Sequence, residues 1–224
     1  GERDQLPADL ADNVKNLKVA WTFRTGDMPG ANDPRESTFE VTPIKVRDTL
    51  YLCSLHQRLF ALDARTGKMR WSFDPKVQDN PTFQHLTCRG VSYHEAAAGD
   101  VPRDCPRRIF LPVNDGRMIA LDADTGKPCE SFADHVTLDL QQGMGIKTAG
   151  FYEPTSPPVV SDRIVVVAGA VIDNYSTEEP SGVIRGFDVD TGKLLWAWDS
   201  GAQDENALPS ATHTYTNNSP NSWI

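Results

Sequence analysis

The chain has 224 residues, with 22 Lys and Arg against 31 Asp and Glu, a formal net charge of −9 and a pI near 5.0. That length can bury a sizeable core, and the acidic balance excludes the basic footprint of a nucleic-acid-binding module. The longest greasy stretch, Ile164–Ile172, falls well short of the roughly 18–20 apolar residues of a membrane helix.

The chain opens with the polar run Gly1-Glu2-Arg3-Asp4, and residues 1–17 read as a leader or linker. The spacing offers one helical stretch, over Ala8–Asn16. From residue 18 onward the pattern is that of strands and turns, with Gly 16 and Pro 16 supplying the turn chemistry. Strands are predicted at Val41–Val46, Thr49–Ser54, Ile109–Pro112, Pro158–Val160 and Arg163–Ala168. Two long intervening stretches, 74–108 and 134–157, exceed the roughly 12–15-residue limit of ordinary loops and are candidates for function or for unrecognised elements. The abrupt ends, among them Asn221-Ser222-Trp223-Ile224, lead us to expect a piece of a longer protein.

The dominant signal is an internal repeat. Residues 59–73 read LFALDARTGKMRWSF, 118–132 read MIALDADTGKPCESF, and 184–198 read IRGFDVDTGKLLWAW. A partial copy, Val19-Ala20-Trp21-Thr22-Phe23, comes earlier. Apolar residues at period two mark a half-buried strand, Asp-x-x-Thr-Gly-Lys marks a hairpin turn, and the Trp-bearing segment marks the returning strand. Trp71 and Trp196 read as packing residues, and the second copy has Glu130 in their place. A hairpin of this kind cannot cover its own apolar face, so repeated units imply blades stacked into a β-propeller. The fold class is all-β, and 18–224 supply about three to four blades, roughly half of a ring. Thr-Gly-Lys here is turn chemistry, since no complete phosphate-binding loop surrounds it.

Cysteines stand at 53, 88, 105 and 129, with no CxxC pair, which argues against a structural zinc site. Two disulfides are possible in three pairings. Bonding is expected in an exported protein and free thiols in a cytosolic one.

The repeat resembles the tryptophan-docking motif of the quinoprotein dehydrogenases, eight-bladed propellers that carry pyrroloquinoline quinone (PQQ). Outside the repeats, Glu40-Val41-Thr42-Pro43-Ile44, His56-Gln57-Arg58-Leu59, Thr87-Cys88-Arg89-Gly90-Val91-Ser92-Tyr93-His94-Glu95, Tyr152-Glu153-Pro154-Thr155-Ser156 and Asn218-Ser219-Pro220-Asn221-Ser222-Trp223 are similar to the membrane-bound PQQ glucose dehydrogenases. The resemblance implies the following residue roles. Arg89 pairs with PQQ and His85 covers one face of its ring. Glu40 lies in the cofactor network, and the Thr155 and Ser156 hydroxyls reach its carboxylates. Asp173 and Asn174 ligate Ca²⁺ or Mg²⁺. Carboxylate and amide oxygens suit such a hard cation, and Arg suits a carboxylate. Ala170 matches a small cofactor-adjacent residue.

The resemblance further implies oxidation of D-glucose at C1 to gluconolactone on the periplasmic face of the bacterial inner membrane, with electrons passing to ubiquinone. The membrane anchor, the catalytic aspartate and a cofactor-contacting lysine fall outside this chain, so the isolated piece is expected to be inactive. In a periplasmic setting Cys88 is expected to bond to Cys105. The nearest alternatives are a quinate or polyol dehydrogenase of the same family, and a non-catalytic propeller scaffold built from the same repeats.

Overall fold

A computed structural model describes residues 14–78, 82–97, 99, 104–133, 136–172 and 176–218. Three four-stranded antiparallel sheets follow one another along the chain, each ordered as a simple meander. The first is β1 (Ile44–Val46), β2 (Thr49–Cys53), β3 (Leu59–Asp63) and β4 (Met69–Phe73). The second is β5 (Ser92–Glu95), β6 (Arg107–Val113), β7 (Arg117–Asp122) and β8 (Thr137–Asp139). The third is β10 (Val159–Ser161), β11 (Ile164–Val167), β13 (Ile184–Asp188) and β14 (Leu194–Trp198). A short ladder of β9 (Tyr152–Glu153) and β12 (Ala170–Val171) stands beside the third. These are three blades of the expected all-β architecture. Only a 3₁₀ turn, Val14–Asn16, represents the anticipated helix, whose residues 8–13 lie outside the described residues.

The core lies between blades. On β6, Ile109, Leu111 and Val113 pack with Tyr51, Leu59 and Ala61 of the first blade. Phe110, on the alternate face, packs with Val165, Val167 and Phe187 of the third. A strand pressed on both faces reads as a continuous apolar run rather than an alternation, which is why β6 is buried along nearly its whole length.

The three Asp-x-x-Thr-Gly turns are superimposable in chemistry. Gly67, Gly126 and Gly192 adopt φ of 70°, 71° and 66°, and each amide donates to the carbonyl of its Asp at 2.8–2.9 Å. The Asp63, Asp122 and Asp188 carboxylates accept from the backbone amide and hydroxyl of Thr66, Thr125 and Thr191. Each turn receives a group from the preceding unit. Trp21 Nε1 donates to the Ala64 carbonyl at 3.3 Å, and Trp71 Nε1 donates to that of Ala123 at 3.1 Å. A Cβ on Gly67 or Gly126 would lie 2.5 Å from the docked indole.

The structure corrects three expectations. The predicted strand Val41–Val46 begins only at Ile44, because the Thr42 amide is committed to the Arg89 carbonyl at 2.9 Å. The second repeat does not form a continuous returning strand. Pro128 makes one bridge to Leu121, and β8 resumes pairing with β7 from Thr137. The disulfides join Cys53 to Cys88 and Cys105 to Cys129, with Cα separations of 6.0 and 5.8 Å, so Cys88–Cys105 does not form. Cys88 precedes β5, whereas Cys105 lies past its far end, where Glu95 faces Arg107. Four strand residues span roughly 13 Å, beyond the roughly 7 Å Cα limit of a disulfide.

Candidate functional site

Each blade is entered through an irregular segment, and three of these entries meet. Segments 36–42, 82–90 and 149–155 lead into β1, β5 and the third blade. Leu86 exchanges hydrogen bonds with the first segment, its amide donating to Glu36 O at 2.9 Å and its carbonyl accepting from Thr38 N at 3.1 Å. On the other side, Thr82 Oγ1 donates to Ala149 O at 2.9 Å and the Arg89 amide to Thr155 O at 3.1 Å. The Cys53–Cys88 disulfide ties the middle segment to the end of β2.

Four of the sequence-predicted residues fall in this junction in mutual contact or on adjoining segments. Arg89 donates through Nε to Glu40 Oε2 at 2.9 Å and through Nη1 to Thr155 Oγ1 at 2.5 Å. Thr38 Oγ1 donates to Glu40 Oε1 at 2.9 Å. His85 Nδ1 lies 2.7 Å from Glu36 Oε2, with the imidazole 26% and the Glu36 side chain 65% exposed. Thr155 is buried and Ser156 half-buried. Ala170 pairs with Glu153 in the β9–β12 ladder, beside the same junction. Asp173 and Asn174 lie outside the described residues.

Spacing did not single out the groups that hold the middle segment. Glu153 is 2% exposed, and its carboxylate accepts the Gln84 amide at 2.6 Å and the His85 amide at 3.0 Å. Burial, with little compensation from these two amides, pushes its carboxyl up to about 7. From the opposite side, Asn114 Nδ2 donates to the His85 carbonyl, and the Asn114 amide donates to Gln57 Oε1 at 3.3 Å. Gln57 in turn donates to the Leu55 and Thr87 carbonyls. The only sequence signal for this framework is the position of Glu153 immediately before Pro154, in a stretch otherwise assigned to Thr155 and Ser156.

A second polar cluster fixes the chain ahead of the first blade. His56 stands between Asp27 (Nδ1···Oδ1 2.6 Å) and Asp33 (Nε2···Oδ2 3.1 Å). Both carboxylates are nearly buried. Burial alone would lower the His56 pKa, but its hydrogen bonds to Asp27 and Asp33 and their charge raise it above the ordinary value.

A family model described as the glucose/ethanol/alcohol dehydrogenase beta-propeller domain with PQQ matches residues 10–224. The chain belongs to the PQQ-dependent dehydrogenase propeller family. Within that family, the quinoprotein glucose dehydrogenase of Escherichia coli (strain K12) is 64% identical over 95% of this chain and 27% of its own length. The quinate/shikimate dehydrogenase (quinone) of Acinetobacter baylyi is 38% identical over 95% of this chain and 28% of its own. A solved europium-containing methanol dehydrogenase superposes with a TM-score of 0.61 at 26% identity, covering 89% of this chain and 30% of that one. The chain thus spans little more than a quarter of the length of these curated relatives.

The donor set fits the family's cofactor. PQQ is a flat tricarboxylate with an ortho-quinone, and a site for it calls for a guanidinium, an imidazole and hydroxyls. Arg89, His85, Thr155 and Ser156 supply those groups at a junction of three backbone segments.

Proposed function

We propose that this chain supplies part of the cofactor site of a PQQ-dependent dehydrogenase that oxidises D-glucose at C1 to gluconolactone. The observation that carries this reading is the Glu40–Arg89–Thr155 contact, which draws residues from three separate blade entries into one charged cluster. The 64% identity to a quinoprotein glucose dehydrogenase, against 38% to a quinate/shikimate dehydrogenase, favours the sugar.

PQQ, when bound, supplies the two-electron acceptor for the alcohol. In this reading the Arg89 guanidinium binds one of its carboxylates, and Glu40 holds that guanidinium in orientation. His85 covers one ring face and excludes water there. The Thr155 and Ser156 hydroxyls donate to carboxylate oxygens. Asp173 and Asn174 hold Ca²⁺ or Mg²⁺, whose Lewis acidity polarises a quinone oxygen. The base that takes the C1 hydroxyl proton belongs to a part of the protein outside these residues. The reading further places the site on the periplasmic face of the inner membrane, with ubiquinone as the electron acceptor.

The test uses the full-length protein, prepared without cofactor and titrated with PQQ in the presence and absence of Mg²⁺ or Ca²⁺. Metal-dependent binding that weakens in R89A and H85A, followed by dye reduction with glucose, is the expected result. Metal-dependent binding followed by turnover of quinate but not glucose would move the substrate to the family's other branch. Absence of binding by the intact protein would favour a scaffold.

A further inference from the structure

Glu153 and Asp199 are the two fully buried acidic residues among those described, and no cation pairs with Glu153 among the described contacts. Its two oxygens are each used by a backbone amide, Gln84 at 2.6 Å and His85 at 3.0 Å. Burying a carboxylate in this way is costly, and two neutral amides compensate only partly. A fold that needed only to join segments 82–90 and 149–155 already has the Arg89–Thr155 and Thr82–Ala149 bonds. The carboxylate acts on one further thing, the orientation of the backbone that enters the His85 Cα. The His85 amide is taken by Glu153 and its carbonyl by Asn114, so the peptide units on both sides of the His85 Cα are pinned. With the backbone fixed on both sides, the imidazole direction depends on χ1 and χ2 alone, and Glu36 meets Nδ1 at 2.7 Å.

We propose that Glu153 is a positioning residue for the cofactor site, clamping the Gln84–His85 backbone so that the His85 imidazole is presented to the ring face of PQQ before the cofactor arrives. This inference rests on the reading of His85 given above. It adds a residue from the third blade's entry that touches no cofactor and acts through the backbone of the middle segment.

The experiment uses the full-length protein without cofactor, comparing wild type, E153Q and E153D. E153Q keeps the volume but turns one acceptor into a donor facing an amide, leaving that amide unsatisfied. E153D keeps the charge and shortens the reach. PQQ affinity is read from quenching of tryptophan fluorescence, and the backbone from hydrogen exchange of peptides covering 82–90. The expected result is PQQ binding weakened about tenfold or more in E153Q, with exchange accelerated in 82–90 and unchanged in β2 and β3. E153D should fall between E153Q and wild type in both readouts. PQQ affinity in E153Q within about twofold of wild type would overturn the proposal. So would acceleration spread evenly over the second blade, which marks a loss of general stability. If wild type itself fails to bind PQQ, the functional reading falls, and localised exchange at 82–90 still decides whether Glu153 sets the His85 backbone. Should E153Q fail to fold, the same two readouts on E153D carry the comparison.

Discussion

The Arg108 guanidinium donates to the Val189 carbonyl at 2.6 Å, the position that corresponds to Ala123 under Trp71 and Ala64 under Trp21. The second repeat has Glu130 where the others have tryptophan, and an arginine from the preceding strand takes over as the docking donor. Arg108 also donates to Asp190 O and pairs with Asp104 and Asp190. Ala133 fills the place of the indole, its Cβ lying 3.0 Å from where a Cβ on Gly192 would be. At the turn, the second blade therefore docks on the third through a cation where Trp21 and Trp71 dock through an indole.

Removing that cation should be costly. R108M strands the carbonyls of Cys105, Val189 and Asp190 and unpairs the half-buried carboxylates of Asp104 and Asp190, and we expect a loss of about 3–5 kcal/mol in unfolding free energy. A denaturant midpoint in the full-length protein checks it. R70M, at an exposed pair with Asp63, should lose less than about 1 kcal/mol.

Two glycines with the same backbone separate conformational strain from docking. Gly26 and Gly126 have φ of 69° and 71°, but a Cβ on Gly26 meets nothing within 4 Å while one on Gly126 meets Trp71 at 2.5 Å. G26A should cost about 1 kcal/mol. G126A should cost about 1–3 kcal/mol more through displacement of the indole. Thermal unfolding of both variants distinguishes the contributions, and equal losses would mean that the indole is not seated on the turn.

Thiol titration of the unfolded, unreduced protein should find none of the four cysteines free, since both pairs are bonded. The double variant C53S/C88S should lose about 3–4 kcal/mol and should loosen the 82–90 segment selectively. A matching loss without loosening at 82–90 would show that the bond stabilises the blade but does not order the site.

Glu153 and His56 both make the protein less stable as pH rises, in successive windows, while Asp27 acts in the opposite direction in acid. The carboxyl of Glu153 is raised from its usual 4.5 to about 7, so the folded state holds the proton more tightly than the unfolded one. Stability should be level below pH 4.5, fall by roughly 3 kcal/mol between there and pH 7, and level off above. E153Q should abolish that fall, which urea titrations at pH 5 and pH 8 would detect. His56, raised above 6.5 by its hydrogen bonds to Asp27 and Asp33 against the opposing effect of burial, contributes fully below pH 6.5. That contribution fades as pH climbs through its elevated value. Asp27 is lowered below 3.8 because bonds from Ser54 and His56 outweigh its burial, so its share is lost only in acid. The His56 cluster should be most stable between about pH 4 and 6.5, and D27N should remove the acid limb and weaken the alkaline one, since Asp33 still pairs with His56.

The repeats were legible in sequence because each turn uses the same local chemistry, Asp accepting from Thr two bonds at a time. Trp71 and the strands around Gly67 followed directly from that pattern. β5 and β8 were not legible: four and three residues long, they carry no periodicity of their own and exist because β6 and β7 offer open edges. The disulfides depended on which end of β5 each cysteine occupies, which spacing cannot encode. At the site, Arg89, His85, Glu40 and Thr155 were found through the motifs that resemble the PQQ dehydrogenases, not through spacing or residue type alone. Glu153 was not singled out, since a buried carboxylate whose partners are backbone amides leaves no partner side chain to pattern against.

The meeting of 36–42, 82–90 and 149–155 has a mechanical consequence. These segments are far apart in the chain and each starts a different blade, so a molecule gripped by all three is a keystone rather than a guest. Filling the junction should fuse the melting of separate blades into one sharper transition. The width of the calorimetric peak, as well as its position, would then report occupancy.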